Sequence, residues 1–146
     1  MEFAITALKK LITPTQTLIE RKMSRIFLLI GIGGFIGSIA RYATASWLTK
    51  LIPSVFPYGT FAANIIGCLV IGIVYGLSER FTWLTPEWRF FLATGLCGGY
   101  TTFSSFAYEN INLLQDSDYF TFAAYSISSF AIGLLAVFGG ITLTKI

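Results

Sequence analysis

The 146-residue sequence has no histidine, two cysteines and few charges: only 12% of its residues are Asp, Glu, Lys or Arg. A soluble domain usually carries about twice that charged fraction. Without histidine, a zinc or iron site would have to use cysteine or carboxylate ligands. Cys68 and Cys97 lie far apart in separate hydrophobic runs and match neither a metal spacing nor a disulfide framework, so they read as two reduced, buried thiols. All seven acidic residues fall outside the long apolar runs or at their edges. That leaves no paired carboxylates for an enzyme and no intramembrane acid for a proton relay. The net charge of +3 is spread over connecting segments and forms no stripe suited to nucleic acid.

What is present is apolar, at 55% of the chain, and grouped. Charge-free runs cover Ile26–Ala40, Leu51–Ser78, Phe90–Tyr108 and Tyr119–Thr144. Three of them reach the ~18–20 residues needed to cross a bilayer, and the first continues past Arg41 into Trp47 and Leu48. The expectation is an all-α membrane protein with four transmembrane helices, roughly 26–48, 58–78, 90–108 and 119–144. Residues 1–22, mixed, polar and interrupted by Pro14, are expected to be a poorly ordered or interfacial extension ahead of a four-helix transmembrane unit over 23–146. Ala43-Thr44-Ala45 resembles a signal-cleavage site, but the glycine-rich stretch Gly31–Gly37 and the following Arg41-Tyr42 argue against cleavage.

Gly33 and Gly37 in span one, and Gly72 and Gly76 in span two, stand four apart. Small residues at that interval let helix backbones approach closely in lipid. Four spans put both termini on one side with Lys9, Lys10, Arg21, Lys22, Arg25, Arg80, Arg89 and Lys145, which predicts cytoplasmic termini.

Span three carries the most information. Gly98-Gly99-Tyr100-Thr101-Thr102 is a poor helix interior, because each glycine costs ~1 kcal/mol against alanine. Either the glycines kink a helix for packing, or the helix breaks and frees the carbonyls of Gly98 and Thr101 for a cation. Phe103 and Phe106 share a helix face directly after this segment, with Ser104 and Ser105 between them. They either pack against a neighbour or, with positive ring edges beside hydroxyls and amides, border the path of a dehydrated anion. Asn64 inside span two serves as interhelical glue or as an anion donor. Arg41 either snorkels or gives a vestibule a positive potential.

Taken together, three motifs resemble the Fluc (CrcB-type) fluoride channel family. They are Gly33-Gly34-Phe35-Ile36-Gly37-Ser38-Ile39-Ala40-Arg41-Tyr42, Gly59-Thr60-Phe61-Ala62-Ala63-Asn64-Ile65-Ile66-Gly67, and Gly95-Leu96-Cys97-Gly98-Gly99-Tyr100-Thr101-Thr102-Phe103-Ser104-Ser105-Phe106. The resemblance runs from about Met23 to the C-terminus. It implies an antiparallel dual-topology dimer of four-helix subunits, the third helix broken at Gly-Gly-x-Thr-Thr, with fluoride pores along the subunit interface. The second subunit would be another copy or an oppositely oriented paralogue.

By the same resemblance, Phe103 and Phe106 would line the pore and Asn64 would donate to fluoride. Ser104 and Ser105, with Tyr125 and Ser129 in span four, would form a polar track, and Arg41 would sit toward a vestibule. The carbonyls of Gly98 and Thr101 would hold a structural sodium ion that is not transported. The expected role is passive export of fluoride across the plasma membrane, in a bacterium the inner membrane, relieving fluoride toxicity. A small dual-topology multidrug exporter would need an embedded glutamate that span one lacks. A non-transporting membrane assembly protein would leave Phe103, Phe106 and the Gly98-Gly99 segment unexplained.

Overall fold

The computed structural model describes the backbone of residues 2–145 and the side chains of residues 16–145. Helix α1 runs Glu2–Leu51, α2 Tyr58–Arg80, α3 Pro86–Arg89, α4 Gly98–Tyr100, α5 Phe103–Gln115 and α6 Tyr119–Leu143. A π-helical stretch, Phe90–Cys97, joins α3 to α4. There is no strand among the described residues.

Three helices are long and apolar enough to cross a membrane: α1 over Gln16–Leu51, α2 and α6. The third expected span is not one continuous α-helix. It proceeds from α3 through the π-helical stretch to α4, then passes through Thr101 (φ −88°, ψ 156°) and Thr102 (φ −151°, ψ 117°) before α5 begins. Two extended residues end the run of helical hydrogen bonds, so no single segment there is long enough to span.

Each boundary has a local cause. Pro53 and Pro57 bracket the turn after α1, since proline offers no N–H to a continuing helix. Pro86 occupies the first turn of α3, where a missing N–H costs nothing. Outside the apolar segments, the Glu87 carboxyl is held below the usual carboxylate range. Its own backbone N–H and the Thr85 hydroxyl bond it, and Lys22 and Arg25 add attraction. The α5–α6 corner is a Schellman turn: Asp118 N–H reaches Leu113 O at 2.9 Å and Ser117 N–H reaches Leu114 O at 3.1 Å. Ser117 takes φ 59°, the left-handed position that turn requires. Asp118 then caps α6 by accepting from Thr121 N–H at 3.1 Å.

Glycine decides the packing. A β-carbon on Gly33 would lie 2.5 Å from the carbonyl oxygen of Phe91, and one on Gly37 would strike Leu96 O and sit 2.9 Å from Tyr100 N. Backbone therefore meets backbone where α1 crosses the π-helical stretch and α4. The second glycine pair works on α6: Gly72 faces the Val137 backbone, and Gly76 faces Thr144. Away from these seams the side chains are apolar and outward. Phe27, Phe35, Ile39, Phe120, Phe130 and Phe138 are all largely exposed on α1 and α6. Helices whose outer faces are apolar are suited to lipid or to a neighbouring membrane helix.

Candidate functional site

The extended pair Thr101-Thr102 exposes backbone groups that need partners, and α2 supplies them. Asn64 Nδ2 donates to the Thr102 carbonyl at 3.2 Å, and Thr102 N–H donates to Asn64 Oδ1 at 2.8 Å. One amide side chain thus satisfies both polar groups of one unwound residue. Thr102 then starts α5: its Oγ1 accepts from Ser105 N–H at 3.2 Å and donates to Ser105 Oγ at 3.1 Å. Ser104 Oγ shares a further bond with Thr102 Oγ1 at 3.2 Å. The hydroxyls of Ser104 and Ser105 are therefore both engaged with Thr102, the residue that caps α5.

These bonds have a second consequence. The N–H groups that would close helical bonds to the carbonyls of Gly98 and Thr101 are those of Thr102 and Ser105. Both go elsewhere, to Asn64 and to Thr102 Oγ1. From α1, Arg41 Nε donates to the Gly99 carbonyl at 3.1 Å, and the hydroxyls of Thr44 and Tyr100 share a 3.0 Å bond. Arg41 is thus tied to the backbone just ahead of the extended pair.

A cavity of about 460 Å³ opens beside this junction, and Asn64, Gly98, Thr101, Thr102, Phe103, Phe106 and Ser129 all line it. Cys68, Cys97 and Phe130 complete much of the rest, and no charged residue contributes. The rings of Phe103 and Phe106 stand 5.9 Å apart with planes tilted by 39°. Phe103 is 79% exposed, whereas Phe106 is half-buried against Tyr125, ring centroids 5.0 Å apart. Ser129 Oγ is buried without a hydrogen-bond partner. Such an orphaned hydroxyl costs ~1–3 kcal/mol unless something in the cavity engages it.

Of the residues singled out in the sequence, the cavity therefore gathers Asn64, Phe103, Phe106, Ser129, Gly98 and Thr101. Ser104, Ser105, Tyr125 and Arg41 are not among its lining residues. Tyr125 has zero exposure and donates its hydroxyl to Glu109 Oε2 at 2.7 Å. It reaches the cavity only through its ring contact with Phe106.

Glu109 was not foreseen as a site residue. Thr60 donates to its Oε1 at 2.5 Å, so one carboxylate is held from α2 and α6 at once. It also lines a second, more polar cavity of about 300 Å³ with Thr49, Ser54, Asn112 and Asp116. The available signal was its spacing: Glu109 stands three residues beyond Phe106, on the same helix face.

Asn64→Asp tests the pairing with Thr102. The introduced carboxyl can keep both bonds only while protonated, because the ionised form sets an oxygen against the Thr102 carbonyl. The folded state of the variant then binds more protons than its unfolded state, so stability falls as pH rises. Thermal unfolding in detergent between pH 4 and pH 8 should show the variant losing ground to the parent steadily across that range. Parallel profiles would detach Asn64 from this role.

Comparison with known proteins adds the family. Residues 28–141 match the family model described as CrcB-like protein, Camphor Resistance (CrcB). A protein of Leptospira interrogans named fluoride-specific ion channel FluC is 42% identical over 122 residues, 84% of this chain and 96% of that one. Proteins of the same name from Flavobacterium psychrophilum (45% over 123 residues, 84% and 98%) and Chlorobium phaeobacteroides (46% over 125 residues, 86% and 96%) are similarly close. With three apolar membrane-length helices and relatives that are channels rather than enzymes, this multi-pass membrane protein belongs to the CrcB-like family.

Proposed function

We propose that the chain is a fluoride-selective passive channel that lets cytoplasmic fluoride out across the plasma membrane and so relieves its toxicity. The observation that carries this reading is the cavity lined by Asn64, Thr102, Ser129 and the Phe103–Phe106 pair with no formal charge. Fluoride is small and strongly hydrated, so a selective path must replace its water with donors. An amide, hydroxyls and ring edges do this without a cationic side chain that would trap the ion. The Ser129 hydroxyl, left without a partner, is the donor best placed to take up an anion. A negative interior drives the anion outward, at about 2.3 kcal/mol per charge per 100 mV.

In this reading residues 23–146 form the channel unit, and the segment from α3 to α5 is the third membrane crossing, interrupted at Thr101-Thr102. Two subunits, a second copy or an oppositely oriented paralogue, assemble antiparallel. Their apolar outer faces and the open side of the cavity support such a partner. Purified protein in liposomes should release fluoride on addition of a potassium or proton ionophore and retain chloride under the same gradient. Chloride passing as readily as fluoride would refute the function.

The carbonyls of Gly98 and Thr101 suit a structural sodium ion: both are oxygen donors, and both have lost their helical N–H partners to Asn64 and Thr102. When bound, the ion supplies a fixed positive charge that holds backbone oxygens together. This chain's part is to leave those carbonyls without their helical N–H partners. With N-methyl-D-glucamine as the sole cation, fluoride efflux should fall by at least about tenfold and return on adding sodium. Full efflux in the absence of small monovalent cations would remove the sodium assignment.

A further inference from the structure

Cys68 and Cys97 have no part in the path described above, yet both line the same cavity. Cys68 comes from α2 and Cys97 from the end of the π-helical stretch. Thr101 stands between the two segments that carry them. Its hydroxyl donates to the Cys97 carbonyl at 2.9 Å, while its methyl packs against Gly67, the residue before Cys68. Neither thiol is in a disulfide. The remaining wall offers no histidine, carboxylate or ammonium group. Hard cations and zinc want oxygen shells or four ligands, whereas two sulfurs alone suit a soft d10 monovalent ion.

We propose that Cys68 and Cys97 form a two-thiol site for one soft monovalent metal ion, of the copper(I) or silver(I) class, and that filling it closes the cavity to anions. On binding, each thiol loses its proton to water and two sulfur–metal bonds form, with no change of oxidation state. Two thiolates around one monovalent cation carry a net charge of −1. That charge stands in the cavity shared with Asn64 and Ser129, so it repels an entering anion as well as filling space. Only the closure rests on the channel reading; the site itself does not.

The test uses purified protein in chloride-free buffer, titrated with silver nitrate. Bound silver is counted by elemental mass spectrometry, and free thiols by maleimide labelling. One silver per chain should protect both thiols, with affinity falling about 100-fold per pH unit as two protons compete. Cys68→Ala and Cys97→Ala should each lower affinity at least 100-fold and reduce the slope to about tenfold per unit. In liposomes, silver should cut fluoride efflux at least tenfold, and excess dithiothreitol should restore it. Two silvers per chain, each retained at parental affinity in one single variant, would overturn the shared site. Undiminished efflux with the site filled would overturn the closure. Thiol protection is measured on the unmutated protein, so a variant that misfolds does not decide the matter. Stoichiometry is read without flux, so a protein that passes no fluoride refutes the channel reading and leaves the metal site standing.

Discussion

Replacing Phe103 by isoleucine should cut fluoride efflux by at least about tenfold, a barrier change of about 1.4 kcal/mol, while leaving thermal stability within about 0.5 kcal/mol of the parent. Phe103 is 79% exposed and its one ring partner among the described residues is Phe106, so its removal creates no internal cavity within the chain. What the substitution removes is the ring's electropositive edge, with most of the bulk kept. Phe106→Ile removes the same chemistry from the second ring but also breaks a 5.0 Å contact with buried Tyr125. It should cost ~1–2 kcal/mol of stability besides the loss of flux. The exposed ring is therefore the cleaner probe. Efflux is to be measured from liposomes loaded with protein whose oligomeric state matches the parent's. Parental efflux in a well-folded Phe103→Ile protein would take the ring edges out of the ion path.

Gly140→Ala should destabilise the protein by ~1–3 kcal/mol, whereas Gly139→Ala one position away should be neutral or stabilising by up to ~1 kcal/mol. A β-carbon on Gly140 would strike the Leu69 carbonyl oxygen and lie 2.8 Å from Ile73 N and 3.0 Å from the Gly72 carbonyl carbon. All three atoms are backbone of α2, so nothing flexible can swing aside and the helices must part. Around Gly139 nothing lies within 4 Å of the added carbon. There the helix-forming advantage of alanine acts alone. Midpoints of thermal unfolding in one detergent decide the matter, and equal midpoints would mean that close backbone approach does not set the α2–α6 seam.

Both predictions show where the sequence was sufficient and where it was silent. The alternation of charge-free runs with Pro53, Pro57, Glu79-Arg80 and Asp116–Asp118 was enough to place the end of α1 and both ends of α2 and α6, because a chain with so few charges has few places where it can meet water; it did not place the start of α1 at Glu2 or the division of the third run. The four-residue glycine spacing was legible too, but not its targets. Gly33 and Gly37 serve the π-helical stretch and α4, while Gly72 and Gly76 serve α6. Spacing gives a face; only packing says what covers it. Gly98-Gly99 drew attention as poor helix, with kink and break equally open. The two extended residues that follow lie at Thr101 and Thr102, held there by an amide from α2.

Hydroxyls were the least legible part. Ser104, Ser105, Tyr125 and Ser129 all had the right chemistry for a polar track, and the sequence could not rank them. Three of the four are spoken for within the chain, two by Thr102 and one by Glu109, and Ser129 alone is buried without a partner. A hydroxyl rotates to whatever acceptor lies nearest, so its availability depends on neighbours that fold beside it.

By itself, the sequence determined a helical membrane protein and the family motifs. Those properties depend on composition and on near neighbours along the chain, which a one-dimensional reading contains. The tertiary structure alone decided that Asn64 is bound to Thr102, 38 positions away, that Glu109 is bound to Thr60, 49 positions away, and that Cys68 and Cys97 share one cavity. The first two join polar groups that in water would have been solvated separately. In a water-poor interior a polar group without a partner is costly, and which partner it finds is settled by how the helices pack.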